Sequence, residues 1–289
     1  MEHLYLELLK KCVLGELYWE NEARILYLRD SLAGRDQYSP HTLLRIDEER
    51  GESCRQFLSR SRVGRVRDDD VDNLGFQHTM IGRLRLDNLA ACLERIHRLN
   101  VPGDLIECGV WRGGATIFMR GFLKAYGITD RTVWVADSFA GLPPPGLPQD
   151  AGMDLSASQY PALAISLETV RDLFARYDLL DGQVRFLPGW FKDTLPDSPI
   201  QTLALLRLDG DLYESTWDAL TALYPKLSTG GFVIVDDYHA LPGCRQAVED
   251  YREREGISTP LEPVDWTAVF WQKDSTTSRS LGAKPRNSA

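Results

Sequence analysis

The sequence lacks several features that would assign it to a broad functional class. Among its 289 residues, no apolar run reaches the roughly 18–20 residues that are needed to cross a bilayer. The five cysteines form no CxxC pair and are odd in number, which favours free thiols over a disulfide framework or a zinc site. The N-terminus is acidic and has neither the basic start nor the cleavage site of a signal peptide, so we expect a cytoplasmic protein.

An excess of positive charge is also missing. The formal net charge is −9, which disfavours a broad nucleic-acid footprint. The arginine-rich segment 55–67 is followed at once by three aspartates, which indicates a solvated, self-neutralising linker. The GxGxxG motif of dinucleotide-phosphate binding is absent as well. We therefore expect a small-molecule partner, with no binding of nucleic acid or membrane.

Hydrophobic spacing divides the chain into three regions. Residues 1–100 have a helical period and are expected to form an N-terminal helical and lid region. Within it, the breaker-rich stretch 31–72 predicts a flexible loop, and residues 47–77 match no recognised pattern, as for an insertion or a variable lid. Residues 101–273 should form one domain. Residues 274–289 have almost no apolar content and predict a disordered tail.

The central region alternates strands and helices. Its first five predicted strands cover residues 104–108, 132–137, 183–187, 202–209 and 231–236. The predicted helices cover residues 81–99, 113–126, 164–177, 214–227 and 244–255. This rhythm indicates an α/β fold with a doubly wound parallel sheet and helices on both faces. The last two strands, 261–264 and 268–272, are joined by so short a turn that they must pair antiparallel.

Four aspartates follow two of the predicted strands. Asp209 and Asp211 come after the run LALLRL, and Asp236 and Asp237 come after GGFVIV. Parallel strands of one sheet end at the same edge, so the four carboxylates should converge there and repel one another. A divalent cation would relieve that repulsion, and oxygen ligands alone select a hard ion such as Mg²⁺. Helix capping would explain one or two of these residues but does not readily explain four.

The first three strands end in residues that suit a nucleoside without phosphates, such as S-adenosylmethionine. An ExGxxxG turn begins with Glu107 and Gly109, although a plain tight turn is the alternative. Asp137 ends the second strand, where a carboxylate can bind ribose hydroxyls or cap the next helix. Trp190 and Phe191 follow the third strand and could stack on adenine or pack between helix and sheet.

Longer motifs make a resemblance specific. The runs DLIECGVWRGGATIFMR, VWVADSFAGLPPP, LRLDGDLYEST and GGFVIVDDY are similar to those of the TylF/macrocin O-methyltransferase family, and above all to its noviose-type sugar 4-O-methyltransferases. The resemblance implies a Rossmann-like class I methyltransferase fold, with a seven-stranded sheet, a C-terminal antiparallel hairpin and added N-terminal helices. It also implies S-adenosylmethionine- and Mg²⁺-dependent methylation of a sugar hydroxyl on a natural product, usually by a homodimer.

The resemblance implies roles for individual residues. It makes Asp209, Asp236 and Asp237 the metal ligands and Asp211 the general base. His239 is the competing base, because the usual pKa of histidine is better matched to neutral pH. His78 is expected to be a loop residue near the cofactor. The expected cofactor-binding residues are Thr79, Met80, Glu107, Gly109, Trp111, Asp137, Ser138, Trp190, Phe191 and Asp209.

Activation of the acceptor needs an explanation, because an aliphatic hydroxyl is a poor nucleophile at neutral pH. Two vicinal hydroxyls that chelate Mg²⁺ would have a lowered pKa, and Asp211 would then take the proton. A free aspartate with a pKa of about 3.9 is a weak base for an alcohol, so the metal must supply most of the activation. Asp211 stands two residues beyond Asp209, and continued strand geometry would keep both on one face.

Three other functions remain open at this point. A catechol-type O-methyltransferase that acts on a phenol would also use carboxylates to bind a cation. An NAD-dependent enzyme is disfavoured by the missing GxGxxG motif and by the terminal hairpin. A silent scaffold that binds a partner through the N-terminal helices is disfavoured by the four aspartates at strand ends.

Overall fold

The computed structural model describes residues 1–52, 59 and 77–274. The N-terminal region contains five described helices: α1 (Glu2–Val13), α2 (Trp19–Leu32), α3 (Pro40–Leu44), α4 (Ile46–Glu49) and α5 (Gly82–Arg98). The breaker-rich stretch that was expected to include a flexible loop also contains the two short helices α3 and α4. Ser39 starts α3, because its side chain accepts a hydrogen bond from Thr42 N and a proline follows it. The arginine-rich linker, Cys54 and the tail beyond residue 274 lie outside the described residues.

Seven strands form one sheet in the order β3-β2-β1-β4-β5-β7-β6. Strands β1 to β5 are parallel, and β7 runs antiparallel to both β5 and β6. The predicted fold class is therefore confirmed, including the terminal hairpin. The strand bounds are β1 (Asp104–Cys108), β2 (Val133–Asp137), β3 (Val184–Pro188), β4 (Leu203–Leu208), β5 (Leu227–Val235), β6 (Glu262–Pro263) and β7 (Val269–Gln272).

The helices of the sheet region follow the predicted order. They are α6 (Gly114–Ala125), α7 (Leu167–Arg176), α8 (Phe191–Thr194), α9 (Tyr213–Leu223) and α10 (Pro242–Glu255). The helix predicted to reach residue 227 ends four residues earlier, because Pro225 lies in a short 3-10 turn that leads into β5. As a result β5 begins at Leu227, before the glycine pair at which the sequence pattern placed its start.

Apolar side chains cover both faces of the sheet. One core joins α1, α5, α6 and α7 to one face and includes Leu9, Leu89 and Phe118. The other joins α9 and α10 to the opposite face and includes Leu220 and Trp271. Helix α1 therefore shares its core with the sheet. No helix among the described residues is both long and apolar enough to span a membrane, and the four described cysteines are free thiols.

Candidate active site

Two adjacent strand ends bring three carboxylates together. Asp209 follows β4 directly, and Asp236 and Asp237 follow β5. The N–H group of Asp209 donates to Cys108 O on β1 at 2.8 Å, and that of Asp236 donates to the last residue of β4 at 2.9 Å. These bonds extend the parallel ladders by one step and fix where each side chain begins. One carboxylate oxygen from each of the three aspartates lies within 4.8 Å of the other two.

Asp211 reaches this cluster along a different backbone path from the one expected. Strand β4 ends before Asp209, and Asp211 is left-handed with a φ of 60°. The expectation of continued strand geometry is therefore wrong, although the carboxylate still lies beside the cluster. Burial and the negative charges of Asp209 and Asp236 raise the pKa of Asp211 to about 8. In this structure Asp211 is a stronger base than an exposed aspartate.

Arg207, inside β4, neutralises part of the cluster. Its side chain is 1% exposed. Nη1 donates to Glu107 Oε1 at 2.6 Å and to Asp209 Oδ2 at 2.8 Å, while Nη2 donates to Asp236 Oδ1. Sequence reasoning overlooked this residue, yet the signal was present. A charged residue within the apolar run LALLRL is buried, and a buried charge needs a partner.

Arg85, on α5, is the second buried arginine of the site. Its Nη1 donates to Asp236 Oδ2, and its Nε donates to Asp265 Oδ2 at 2.8 Å. Asp265 lies in the turn between β6 and β7, so Arg85 connects a helix of the N-terminal region to the sheet edge and to the hairpin. Both oxygens of Asp236 are therefore held by guanidinium groups. Sequence reasoning also missed Arg85, which stands on an ordinary amphipathic helix.

Carboxyl groups still outnumber guanidinium groups after these pairs are formed. The described part of the network has two guanidiniums against six carboxylates, which belong to Glu107, Asp209, Asp211, Asp236, Asp237 and Asp265. Burial and neighbouring negative charges raise the pKa of Glu107 to about 8, in spite of its pairing with Arg207. Burial, followed by the charges of Asp211, Asp209 and Asp236, raises the pKa of Asp237 well above its usual range. Further positive charge would relieve this repulsion.

The donor set fits a hard divalent cation. Oδ2 of Asp237 is buried and has no hydrogen-bond partner among the described residues, a situation that native proteins usually avoid. The available donors are carboxylate oxygens, which are the ligands that Mg²⁺ prefers. The three residues expected to be metal ligands are those that the strand ends bring together.

A cleft of about 880 Å³ opens beside the carboxylates. That volume, which includes space open to the solvent, lies in the range of small-molecule sites. The predicted site residues that line it are Met80, Gly109, Trp111, Asp137, Ser138, Trp190, Phe191, Asp209 and Asp211. Thr79, Glu107, Asp236, Asp237 and His239 are not part of its wall.

Gly109 and Asp137 shape the floor of the cleft. Gly109 has a φ of +87°, and a Cβ atom at that position would lie 1.8 Å from the carbonyl oxygen of Asp209. Asp137 Oδ2 accepts from Val110 N and its Oδ1 accepts from Phe139 N, both at 2.7 Å. Asp137 thus braces the glycine turn and caps no α-helix, because the next one begins at Leu167. A carboxylate oxygen has a second lone pair, so a hydroxyl could still bind there.

Comparison with known proteins identifies the family. A model of the macrocin O-methyltransferase (TylF) family matches residues 2–273. This chain belongs to the TylF family. It is accordingly an S-adenosylmethionine-dependent O-methyltransferase, and the resemblance seen in its motifs is confirmed.

Two characterised relatives and one solved structure support this assignment. Demethyldecarbamoylnovobiocin O-methyltransferase of Streptomyces niveus is 57% identical over 210 residues, which are 72% of this chain and 80% of that protein. The 8-demethyl-8-(2,3-dimethoxy-alpha-L-rhamnosyl)-tetracenomycin-C 4'-O-methyltransferase of Streptomyces olivaceus is 57% identical over 206 residues, 71% of this chain and 78% of that one. The solved structure of the O-methyltransferase NovP matches this one with a TM-score of 0.77, and the two sequences are 46% identical. The match covers 95% of this chain and 100% of the NovP chain.

In this TylF-family enzyme, the segment 77–81 lies against the start of α6. Gly114 N donates to His78 O at 2.8 Å, and a Cβ atom at Gly114 would lie 2.7 Å from Thr79. Thr79 is therefore buried, while Met80 lines the cleft. His78 is half-buried, its Nδ1 lies 2.8 Å from the hydroxyl of Tyr177, and burial lowers its pKa to about 4. It is neutral near pH 7 and has a packing role.

The other predicted residues of the TylF site lie in two environments. Phe191 lines the cleft, packs on the core beside α9 and stands near Gly210, so the stacking and packing expectations for it are compatible. Trp190 lines the cleft next to it. His239 is exposed, and its backbone N–H donates to Thr267 O at 3.0 Å. The structure therefore gathers Asp211 into the cleft and leaves His239 outside it.

Proposed function

We propose that this enzyme methylates a hydroxyl on a sugar moiety of a natural product, with Mg²⁺ bound by Asp209, Asp236 and Asp237. The observation that carries the proposal is the carboxylate trio beside the cleft, with the buried Asp237 Oδ2 lacking a partner among the described residues. The names of the two relatives support a glycosylated acceptor, since one of them names a rhamnosyl group. An acceptor with two adjacent hydroxyls suits a site that chelates through oxygen.

Each residue has a part in this proposal. Mg²⁺ held by the three aspartates would supply Lewis-acid polarisation of an acceptor hydroxyl and so lower its pKa. Asp211 accepts the proton, because it lines the cleft beside the trio and its carboxylate forms no ion pair with the described residues. His239 is ranked second, since it is exposed and lies outside the cleft wall. The cleft holds the two reacting groups at the short separation that displacement at carbon requires.

The remaining predicted residues form the cofactor side of the proposed site. Asp137 offers its free lone pairs to the ribose hydroxyls, and Trp190 and Phe191 supply aromatic surface for adenine. Gly109 leaves room for the cofactor to approach the backbone, flanked by Trp111, Ser138 and Met80. Thr79 and Glu107 are buried behind the residues that line the cleft, and they support the cofactor side of the site from there.

The acceptor class is tested by methyl transfer from labelled S-adenosylmethionine. Glycosylated aromatic natural products, their aglycones and simple catechols are offered under identical conditions. We expect product only from acceptors that carry a sugar with an unmethylated hydroxyl. Faster turnover of catechols would show instead that the enzyme acts on phenols and that the sugar proposal is wrong.

The metal is tested separately, with the same assay after EDTA treatment and gel filtration. We expect turnover to be lost on chelation and to return with Mg²⁺. Full activity after chelation would refute the metal part of the proposal and leave the acceptor result untouched. A homodimer, the absence of nucleic-acid and membrane binding, and a cytoplasmic location stay predictions.

A further inference from the structure

Arg207 occupies the centre of the charged network. It stands on β4, between β1 and β5 in the sheet, and its register partners are Glu107 and Ile234. From that position its planar guanidinium contacts carboxylates at or beside the ends of three adjacent strands: Glu107 of β1, Asp209 after β4 and Asp236 after β5. Two of these contacts are buried, because the side chains of Arg207, Glu107 and Asp236 are each at most 4% exposed, while the side chain of Asp209 is 26% exposed.

Asp209 belongs to both halves of the site. It lines the cleft, and it is one of the three carboxylates that could bind a cation. Its Oδ2 shares the Nη1 group of Arg207 with Glu107 Oε1, at 2.8 and 2.6 Å. The other oxygen of Glu107 is buried without a hydrogen-bond partner among the described residues. Nη1 of Arg207 thus sets the distance between the carboxylate of Asp209, which lines the cleft, and the buried carboxyl group of Glu107.

We propose that Arg207 is a positioning residue that holds the metal subsite and the cofactor subsite in register. This inference rests on the proposed function, because it takes Asp209 and Asp236 as metal ligands. Arg207 contacts neither reacting group. It fixes the rotamers of the ligands beside it, as partners of metal-binding side chains do elsewhere. Lysine cannot replace Arg207. An ammonium group is a compact point charge and cannot contact three carboxylates at once, as the planar guanidinium does.

The test compares Arg207→Lys with wild type in two separate titrations. Mg²⁺ binding is measured calorimetrically without cofactor, and S-adenosylhomocysteine binding is measured in EDTA without metal. We expect Arg207→Lys to weaken both affinities by roughly 10-fold or more, the range that loss of such a supporting group causes at metal sites. Neither readout depends on catalysis.

Arg120→Lys is the matched control. Arg120 is also a buried arginine, and it forms a two-point ion pair with Asp181 at 3.0 and 2.5 Å, outside the cleft and the carboxylate cluster. We expect this variant to change both affinities by less than about 2-fold. The comparison thus separates the effect of losing any buried guanidinium ion pair from the effect of losing the one at the site. Thermal unfolding of both variants reports their stability.

A second variant keeps the test decisive if Arg207→Lys fails to fold. Glu107→Gln preserves shape and replaces the carboxyl group that shares Nη1 with Asp209 by an amide, which is a weaker partner for the guanidinium, so we expect Mg²⁺ affinity without cofactor to fall several-fold. The inference is overturned if a folded Arg207→Lys loses only one affinity or neither, or if Glu107→Gln leaves Mg²⁺ affinity unchanged. A wild type that binds S-adenosylhomocysteine but no Mg²⁺ would overturn the metal proposal and this inference together.

Discussion

Asp211 and His239 each follow a strand end, but their surroundings differ. Asp211 lines the cleft, and burial beside Asp209 and Asp236 raises its pKa to about 8. His239 is exposed to solvent, and its ring contacts the edge of Tyr238. A proton acceptor must lie within hydrogen-bonding reach of the acceptor hydroxyl, and geometry is the first criterion for that role. The position of Asp211 in the cleft therefore favours it as the base over His239, although the usual pKa of histidine is closer to neutral pH.

The first prediction concerns this choice of base. Asp211→Asn should lower kcat by roughly 10²- to 10⁴-fold, the usual contribution of a general base, because the amide cannot take a proton. Binding of S-adenosylhomocysteine by calorimetry should stay within a few-fold of wild type. His239→Ala is the comparison and should keep nearly full activity. An active Asp211→Asn together with an inactive His239→Ala would reverse the assignment.

Gly109 provides a second prediction, based on space instead of charge. Alanine there must adopt a φ of +87° and place its methyl group 1.8 Å from the carbonyl of Asp209. Gly127 also has a positive φ, +65°, but has open space around it. Gly127→Ala should therefore cost only the left-handed strain of about 1–2 kcal/mol. Gly109→Ala should cost more in urea unfolding and should abolish S-adenosylhomocysteine binding.

Equal cofactor affinity in the two alanine variants would contradict this explanation of Gly109. In that case the glycine would serve only the backbone conformation of the turn. The comparison matters because φ alone does not distinguish the two positions. The contact with the Asp209 carbonyl does, and it joins the glycine turn after β1 to the end of β4 that is followed by Asp209.

Among the elements, those whose signals are local to the sequence could be predicted. The strands β1 to β4 match the apolar runs within two residues at each end, and Asp209, Asp236 and Asp237 follow from the convergence of parallel strand ends. Arg85 could not be predicted in this way, because its partners lie 151 and 180 residues away along the chain. Its ion pairs depend on how α5 packs on the sheet, which no local pattern encodes.

Helix α9 depends on a residue from a distant loop. Asp150 accepts from Tyr213 N at 2.7 Å and from Glu214 N at 3.2 Å, so it satisfies two donors in the first turn. Leu212, the residue before the helix, offers no side-chain cap. Asp150 is only 3% exposed and belongs to the loop that follows β2, which includes the proline-rich segment 141–148 and contributes Gly141 to Pro143 to the cleft wall. It thereby ties that loop to the helix that starts two residues after Asp211.

The third prediction is that Asp150→Ala affects both stability and catalysis. Loss of the cap should lower the free energy of unfolding by about 0.5–2 kcal/mol. It should also lower kcat several-fold, because the first turn of α9 positions the Asp211 backbone. Asp154→Ala is the control, since Asp154 caps only its own exposed loop through Ser156 N at 3.0 Å. Chemical unfolding and steady-state kinetics measure the two effects, and a kcat equal to that of the control would disprove the link.

For the molecule as a whole, we expect the carboxylate cluster to oppose folding, because it brings like charges together in a buried place. The chain already carries a net charge of −9, and the carboxylate network concentrates negative charge at one sheet edge. Arg85 and Arg207 offset part of this repulsion, while burial and then the charges of Asp211, Asp209 and Asp236 raise the pKa of Asp237 above its usual range. A ligand that binds only the folded state should therefore stabilise the whole domain.

The fourth prediction follows from this linkage. Mg²⁺ at 100 times its dissociation constant should stabilise the folded wild type by about 2.7 kcal/mol, which corresponds to a rise in Tm of roughly 5–10 °C for a domain of this size. Asp237→Asn should act in two opposite directions. It removes a carboxyl group whose ionisation is opposed in the folded state by burial and by neighbouring charges, so the metal-free protein should melt at a higher temperature than wild type, but added Mg²⁺ should no longer raise Tm.

Asp197→Asn controls for the loss of one negative charge, since Asp197 is exposed on the surface. It should leave both the metal-free Tm and the Mg²⁺ response at the wild-type values. Differential scanning calorimetry with and without Mg²⁺ measures all three proteins. A metal-free Asp237→Asn protein less stable than wild type would mean that Asp237 has a packing role that outweighs its repulsion. An unchanged Mg²⁺ response would mean that the cation binds without Asp237.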